Sequence, residues 1–469
     1  MIALTLGDVA AAVGGRLVGG AEPATRVTGF STDSRSAHDG DLFVAVVGEH
    51  HDAHDFAGQA VAGGAVAALA SRALDVPSVV VDDDAVLALG RLARWVVGRM
   101  PDLVVVGITG SSGKTSTKDL MAQVVVELGP VVAPQGSFNT EVGLPLTALQ
   151  VDESTRVLVS EMGARGLGHI AYLCTVTPPR IGVVLNVGSA HVGEFGSREN
   201  IAVTKGELVE AVPPAADGGV AVLNADDDLV AAMAPRTRGR VVLYGRSAAA
   251  QVRAVDETMD DEGRPGFTLV APGVREPVSL RLFGAHQVSN ALAVAAVALE
   301  LGIPGDIVAR RLSGATAESR WRMEVSTTAS GVTVVNDAYN ANPESVVAAL
   351  DALVAMSAAT ATRPARRSWA VLGEMRELGA GAEAAHEAVG RAAAERGVDR
   401  VVAVGEGASG VARGAKGVGG ATVVMVAADV PRAVEIVAGD VAPGDVVLVK
   451  ASRAAGLERL ALALTEVPA

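Results

Sequence analysis

Short runs of β-branched apolar residues recur along this chain, and stretches with helical spacing follow many of them. Leu103–Ile108, Arg156–Ser160, Ile181–Leu185 and Val220–Leu223 are such runs. After about residue 317 the pattern begins again, at Val332–Asn336, Ser368–Leu372, Arg400–Val404 and Asp445–Val449. The runs are continuous rather than alternating, as expected of strands buried on both faces. Helices are predicted at Glu199–Val209, Glu344–Met356, Glu383–Arg396 and Ala454–Leu464. Such alternation gives parallel, doubly wound sheets that bind ligands at the carboxyl ends of their strands. Residues 1–100 carry the same alternation in shorter pieces, with helical spacing at Gln59–Ala70 and a strand at Ser78–Val81. The Gly/Ala-rich stretch Gly405–Ala421 is predicted to be a mobile loop. The expected fold is α/β in three domains: a small N-terminal α/β domain (1–100), a central doubly wound parallel sheet (101–314) and a Rossmann-like C-terminal domain (315–469).

Composition supports this picture. Hydrophobic residues make up 49% of the 469 positions, yet aromatics are only 3%, so the core is built from small and branched side chains. Mean hydropathy is positive, at +0.36. Runs such as Val124–Val126 and Val183–Val187 are nevertheless too short to span a bilayer, so no membrane insertion is expected. The N-terminus lacks a signal-peptide pattern, Cys174 is the sole cysteine, and a cytoplasmic protein is expected. A net charge of −14 argues against nucleic-acid binding.

Candidate chemistry begins at Leu103–Lys118, LVVVGITGSSGKTSTK. A strand, a glycine turn and a helix in this order form a phosphate-binding loop. Backbone N–H groups around Gly110, Ser111, Ser112 and Gly113 can wrap a polyphosphate, Lys114 can reach its outer phosphates, and Thr115 can bind Mg²⁺. Ile108 stands where the general pattern has its first glycine, so the turn is expected from Gly107 and Gly110. Lysine occurs only at 114, 118, 205, 416 and 450. Lys114, Lys205 and Lys450 lie within motifs, whereas Lys118 and Lys416 fit ordinary surface positions.

Glu161 ends a strand near the loop and is placed to hold Mg²⁺; a helix-capping surface glutamate is the plain alternative. His191 follows another strand and can face the same cleft. SFNTEVGLPLT clusters Asn139, Thr140 and Glu141 before a proline-marked turn. In NDAYNANPES, Asn342 and Pro343 suit a helix start, which leaves Asp337, Tyr339 and Asn340 for another role. His50, His51 and His54 admit a zinc reading without thiolate or helical-spacing support.

TGSSGKT, SFNTEVGLPL, EMGARGLGHI, NVGSAHVGEFGSRENIAVTKGEL, GAHQVSNALA and DAYNANPES together resemble the motif set of the Mur ligases, over essentially the whole chain. The resemblance implies ATP-driven amide formation through an acyl phosphate, with Mg²⁺. NTEVGLPL and DAYNANPES point to the branch that joins UDP-N-acetylmuramoyl-tripeptide to D-alanyl-D-alanine, acting as a monomer. It further implies that the loop residues Gly110–Ser116 hold the phosphates, with Asn290 beside adenine and Arg322, Asp337 and Asn340 completing the ATP site. Thr115 and Glu161 would serve one metal, and His191 and Lys205 a second, with Lys205 as a carbamate; Lys114, His191 and Lys205 would be catalytic. Ser34, Arg35 and the loop containing His54 would hold the UDP-sugar, and Asn139, Thr140, Glu141, Asn342, Ser345, Lys450 and Ser452 would contact substrates. The ATP and acceptor groups that the resemblance assigns come from the last two domains and must converge across a hinge expected near Ser313–Arg322. Gln287 replaces an Asn common in relatives, and Ala451 replaces a Gly in KASR. Another ligase of the same fold and a non-catalytic nucleotide-binding homologue remain as alternatives.

Overall fold

The computed structural model describes all residues except Glu49, Ala190, His191 and 467–469, together with the side chain of Glu466. Three sheets organise it. A five-stranded sheet, supplemented by a two-stranded ribbon, occupies the first hundred residues. Its strands Gly29–Ser31, Asp41–Val44, Ala67–Ala70 and Ser78–Val80 are parallel, and Arg16–Val18 adds antiparallel at one edge. The central sheet has nine strands. The strand Val104–Thr109 lies inside it, between Val157–Glu161 and Ile181–Val184. From that strand the chain first builds one side of the sheet and then crosses to the other. This places the loop after Thr109 at the crevice where such sheets take ligands.

Six strands form the last sheet, and all but Glu324–Thr327 run parallel. The N-terminal unit is seated on the central sheet through one continuous core. Leu42, Leu69 and Leu89 belong to it, as do Val105, Leu158 and Ile170 of the central unit. Among the described residues no helix is long and apolar enough to cross a membrane.

Three sequence expectations are corrected. Gln59–Ala70 is not one helix: the helix Ala57–Ala62 stops at Gly63, and Ala67–Ala70 is a fully buried parallel strand. Gly64 makes the turn at φ +121°, where a Cβ would meet the Asp39 nitrogen at 2.8 Å. Tertiary burial overrides alanine's helix preference there. The strand–helix repetition also breaks at Val252–Met259, Pro265–Ala271 and Val274–Ser279, where antiparallel pairing extends the central sheet.

The third correction concerns Gly405–Ala421, which contains the helix Ser409–Val418 rather than a loop. Its glycines weaken helix propensity but let it approach Ala382–Glu395 closely. A Cβ on Gly414 would lie 1.9 Å from the Glu387 carbonyl oxygen, and one on Gly390 1.9 Å from that of Val411. Gly414→Ala must push the two helices apart. It is expected to destabilise the C-terminal unit by about 2–3 kcal/mol, read as a lower denaturation midpoint with unchanged slope.

Candidate active site

Val104–Thr109 ends at Gly110, and the helix Lys114–Val125 begins after Gly113. Gly113 has φ +80°, and a Cβ there would be 2.7 Å from Asn290 Oδ1. A Cβ on Gly110 would press on Leu185 at 2.9 Å. The turn is therefore built from Gly110 and Gly113. Gly107, expected in the turn, is inside the strand and gives room to Leu208.

The loop's N–H groups already converge on one oxygen. Ser111 N and Ser112 N donate to Asn186 Oδ1 at 3.0 and 2.9 Å. Sequence reasoning passed over Asn186; its position directly after the run Ile181–Leu185 was the available signal. Lys114 Nζ curls back to donate to the Gly110 carbonyl at 2.7 Å.

Glu161 is 1% exposed, which removes the surface-cap alternative. Its Oε2 accepts from Thr115 Oγ1 at 2.9 Å. Its Oε1 accepts from Ser137 Oγ at 2.9 Å and Asn139 Nδ2 at 2.7 Å. Asn139 thus positions the carboxylate, while Thr140 and Glu141 line the same cavity from exposed positions.

Lys205 is buried in the helix Arg198–Ala211. The two acidic residues nearest in sequence are engaged elsewhere. Glu207 accepts from Gly168 N and Ala171 N, and Glu210 pairs with Arg236. Among the described residues no acceptor meets the Lys205 ammonium. Burial and the nearby Lys114 hold its pKa well below that of an ordinary lysine. Lys114 is lowered by burial, with Glu161 opposing and Arg322 adding to the shift. Lys114, Lys205, Arg322 and Glu161 thus feel one another's charge across this site. His191 lies outside the described residues. Cys174, whose thiol burial pushes up to about 12, is core and no nucleophile.

The C-terminal unit closes the site. The Arg322 guanidinium stacks on Tyr339 at 4.1 Å from the ring centroid, and its Nε is buried without a partner among the described residues. Lys450, expected to contact substrate, lines the cavity and bonds Asp337 Oδ2 at 2.5 Å and the Asn340 carbonyl at 2.9 Å. Ser452 Oγ accepts from Arg376 N at 2.9 Å. Asn342 and Ser345 cap the helix Pro343–Ser357 reciprocally. Asn342 also reaches the Ser111 carbonyl at 3.5 Å, and Glu344 accepts from Ser189 N and Oγ at 2.8 and 2.9 Å. Gln287 accepts from Asn290 at 2.9 Å, and the Ala451 side chain faces Gly373, where a Cβ would be only 2.8 Å away. The resulting cavity has a volume of about 840 Å³ and is lined by the Gly110–Ser116 loop, Ser116 included, together with Glu161, Lys205, Asn290, Arg322, Asp337 and Asn340.

Ser34, Arg35 and His54 are not part of this cavity. Ser34 Oγ donates to Gln59 at 3.2 Å, and Arg35 pairs with Asp33. His54 is buried, with Nδ1 2.5 Å from Asp52 and Nε2 accepting from Ser71 N at 3.0 Å. Both ring nitrogens are thus committed within the N-terminal unit. His54 thus ties its own loop to Ser71, and among the described residues no cluster of His, Cys, Asp or Glu could hold a metal ion.

A phosphate loop at a sheet crevice, with a second α/β unit supplying cationic and polar groups from across the cleft, defines a nucleotide-using enzyme of the P-loop ligase type. The Mur ligase middle domain matches residues 108–298, and the Mur ligase glutamate ligase domain matches residues 321–453. The chain belongs to the Mur ligase family. It is 48% identical to the UDP-N-acetylmuramoyl-tripeptide–D-alanyl-D-alanine ligase of Mycobacterium tuberculosis, over 99% of this chain and 98% of that one. Identity to the Escherichia coli enzyme of the same description is 36%, over 99% of both chains. The fold superposes on MurF from Acinetobacter baumannii with a TM-score of 0.88 at 30% identity, covering 99% of each chain. MurF ligase from Thermotoga maritima in complex with ADP gives a TM-score of 0.80 at 32% identity, covering 94% of this chain and 97% of that one.

Proposed function

We propose that this chain joins D-alanyl-D-alanine to the terminal carboxylate of a UDP-N-acetylmuramoyl-tripeptide, at the expense of ATP. The observation that carries the reading is the convergence of Lys114, Glu161, Lys205, Arg322 and Asp337 on one cavity. A free carboxylate does not expel oxide. The substrate carboxylate attacks the γ-phosphorus of ATP, the bond to the β-phosphate oxygen breaks, and ADP departs. The dipeptide amine then adds to the acyl phosphate carbonyl, loses a proton, and inorganic phosphate leaves.

The chain's part is positioning and charge neutralisation. The N–H groups of the loop and the helix end at Lys114 hold the phosphates. Lys114 and Arg322 offset the charge that grows on the transferred group. Arg322 Nε, buried and without a partner among the described residues, is available to that charge, and Lys450 holds Asp337. Thr115 and Glu161 are hard oxygen donors within 2.9 Å of each other, a donor set that suits Mg²⁺. When bound, Mg²⁺ supplies electrostatic polarisation of the phosphate oxygens. A cytoplasmic monomer is proposed, and the net charge of −14 supports the absence of a nucleic-acid partner.

ADP release measured with both substrates, and with each omitted, tests the reading. Release is expected only with ATP, the tripeptide nucleotide and D-alanyl-D-alanine together. Equal release with single amino acids in place of the dipeptide contradicts it.

A further inference from the structure

The helix that begins at Lys114 does more than end the phosphate loop. Asp119 and Gln123 lie on it one and two turns further along. Gln123 clasps the backbone of the interdomain linker with two bonds. Its Nε2 donates to the Thr316 carbonyl at 2.9 Å, and its Oε1 accepts from Thr316 N at 3.0 Å. Asp119 Oδ2 accepts from Ser319 N at 3.1 Å. Lys118, which the sequence left as a surface residue, is 3% exposed. It pairs with Asp119 and donates to the Pro134 carbonyl at 2.8 Å, just before Ser137 and Asn139, which hold Glu161.

Two residues beyond Ser319 the anchorage changes hands. The Trp321 carbonyl accepts from Tyr339 N at 3.1 Å, and Met323 N donates to Asp337 Oδ1 at 3.0 Å. Trp321 and Met323 hold φ of +59° and +50°, conformations that non-glycine residues keep only when their surroundings impose them. Arg322 is fixed between these two strained residues. Arg320 is exposed and, among the described residues, no hydrogen bond ties it to either side.

We infer that Asp119 and Gln123 are positioning residues that hold the near end of the linker on the phosphate-loop helix. Rotation of the C-terminal unit is thereby confined to the Arg320 link, and closure delivers Arg322 to the phosphates. The inference rests on the proposed ligase reaction. The loop that grips the phosphates does not depend on the clasp, so loosening it is expected to impair closure more than nucleotide binding.

Gln123→Ala removes both hydrogen bonds to Thr316, along with the one to the Asp119 carbonyl, a loss expected to lower kcat by about tenfold while the KM for ATP changes by less than about twofold. Gln123→Glu keeps the acceptor for Thr316 N and is expected to recover part of kcat. Spin labels on the central and C-terminal units should report a broader distance distribution in Gln123→Ala without nucleotide than in the parent. Parent-like kcat overturns the inference. So does a parent-like distance distribution, or a kcat loss that simply follows a lowered melting temperature in both variants. The distance measurement needs no turnover, so it tests the hinge even if the parent enzyme fails with the proposed substrates.

Discussion

Lys114→Met is expected to lower ADP formation by about 10³-fold or more while leaving the fold intact. The side chain is half-buried, and the ammonium's bond to the Gly110 carbonyl is its one hydrogen bond among the described residues. Burial lowers its pKa, so the charged form costs folding free energy at any pH below that of an ordinary lysine. Removing that charge therefore relieves a penalty, and methionine keeps most of the buried stem. The melting temperature should match or slightly exceed the parent's. Neither Lys450, spent on Asp337, nor Arg322, which belongs to the other unit, stands in for it. Near-parent turnover in the folded variant would remove the loop from the mechanism.

Lys205→Ala is the second substitution with a large expected effect. A buried ammonium beside Lys114, with no acceptor among the described residues, is a poor neighbour for a metal ion, and its lowered pKa favours the neutral amine. Attack of that amine on the carbon of CO₂, with loss of its proton to solvent, yields a carbamate. The group then carries a negative charge and two oxygens. Lys205→Ala should lose activity by about 10²-fold or more, the scale expected for a charged group at developing charge. Added formate, small enough for the vacated space, should restore part of it. Activity close to the parent's, or no response to any short carboxylate, would remove the carbamate.

Much of this site was legible because its signals are local. Glycine, lysine and threonine at fixed offsets after an apolar run specify a phosphate loop wherever the rest of the chain goes. Glu161 was legible for a related reason, since strand ends in a parallel sheet face the ligand crevice. What escaped notice depends on distant partners. Asn186 gains its role only when its strand lies beside Val104–Thr109. Lys118 and Asp119 resemble a solvated pair until Pro134 and Ser319 fold over them. His54 sits in a polar loop, and nothing local says that Ser71 will occupy its second nitrogen. The helix Ser409–Val418 was hidden by its glycines, which are there for a neighbour far away in sequence.

Substrate labelled with ¹⁸O in the terminal carboxylate of the tripeptide tests the central claim most directly. If the cavity forms an acyl phosphate, one labelled oxygen leaves with each turnover and appears in inorganic phosphate, while the amide retains the other. Unlabelled phosphate accompanying a normal yield of amide would contradict activation of the carboxylate at this site.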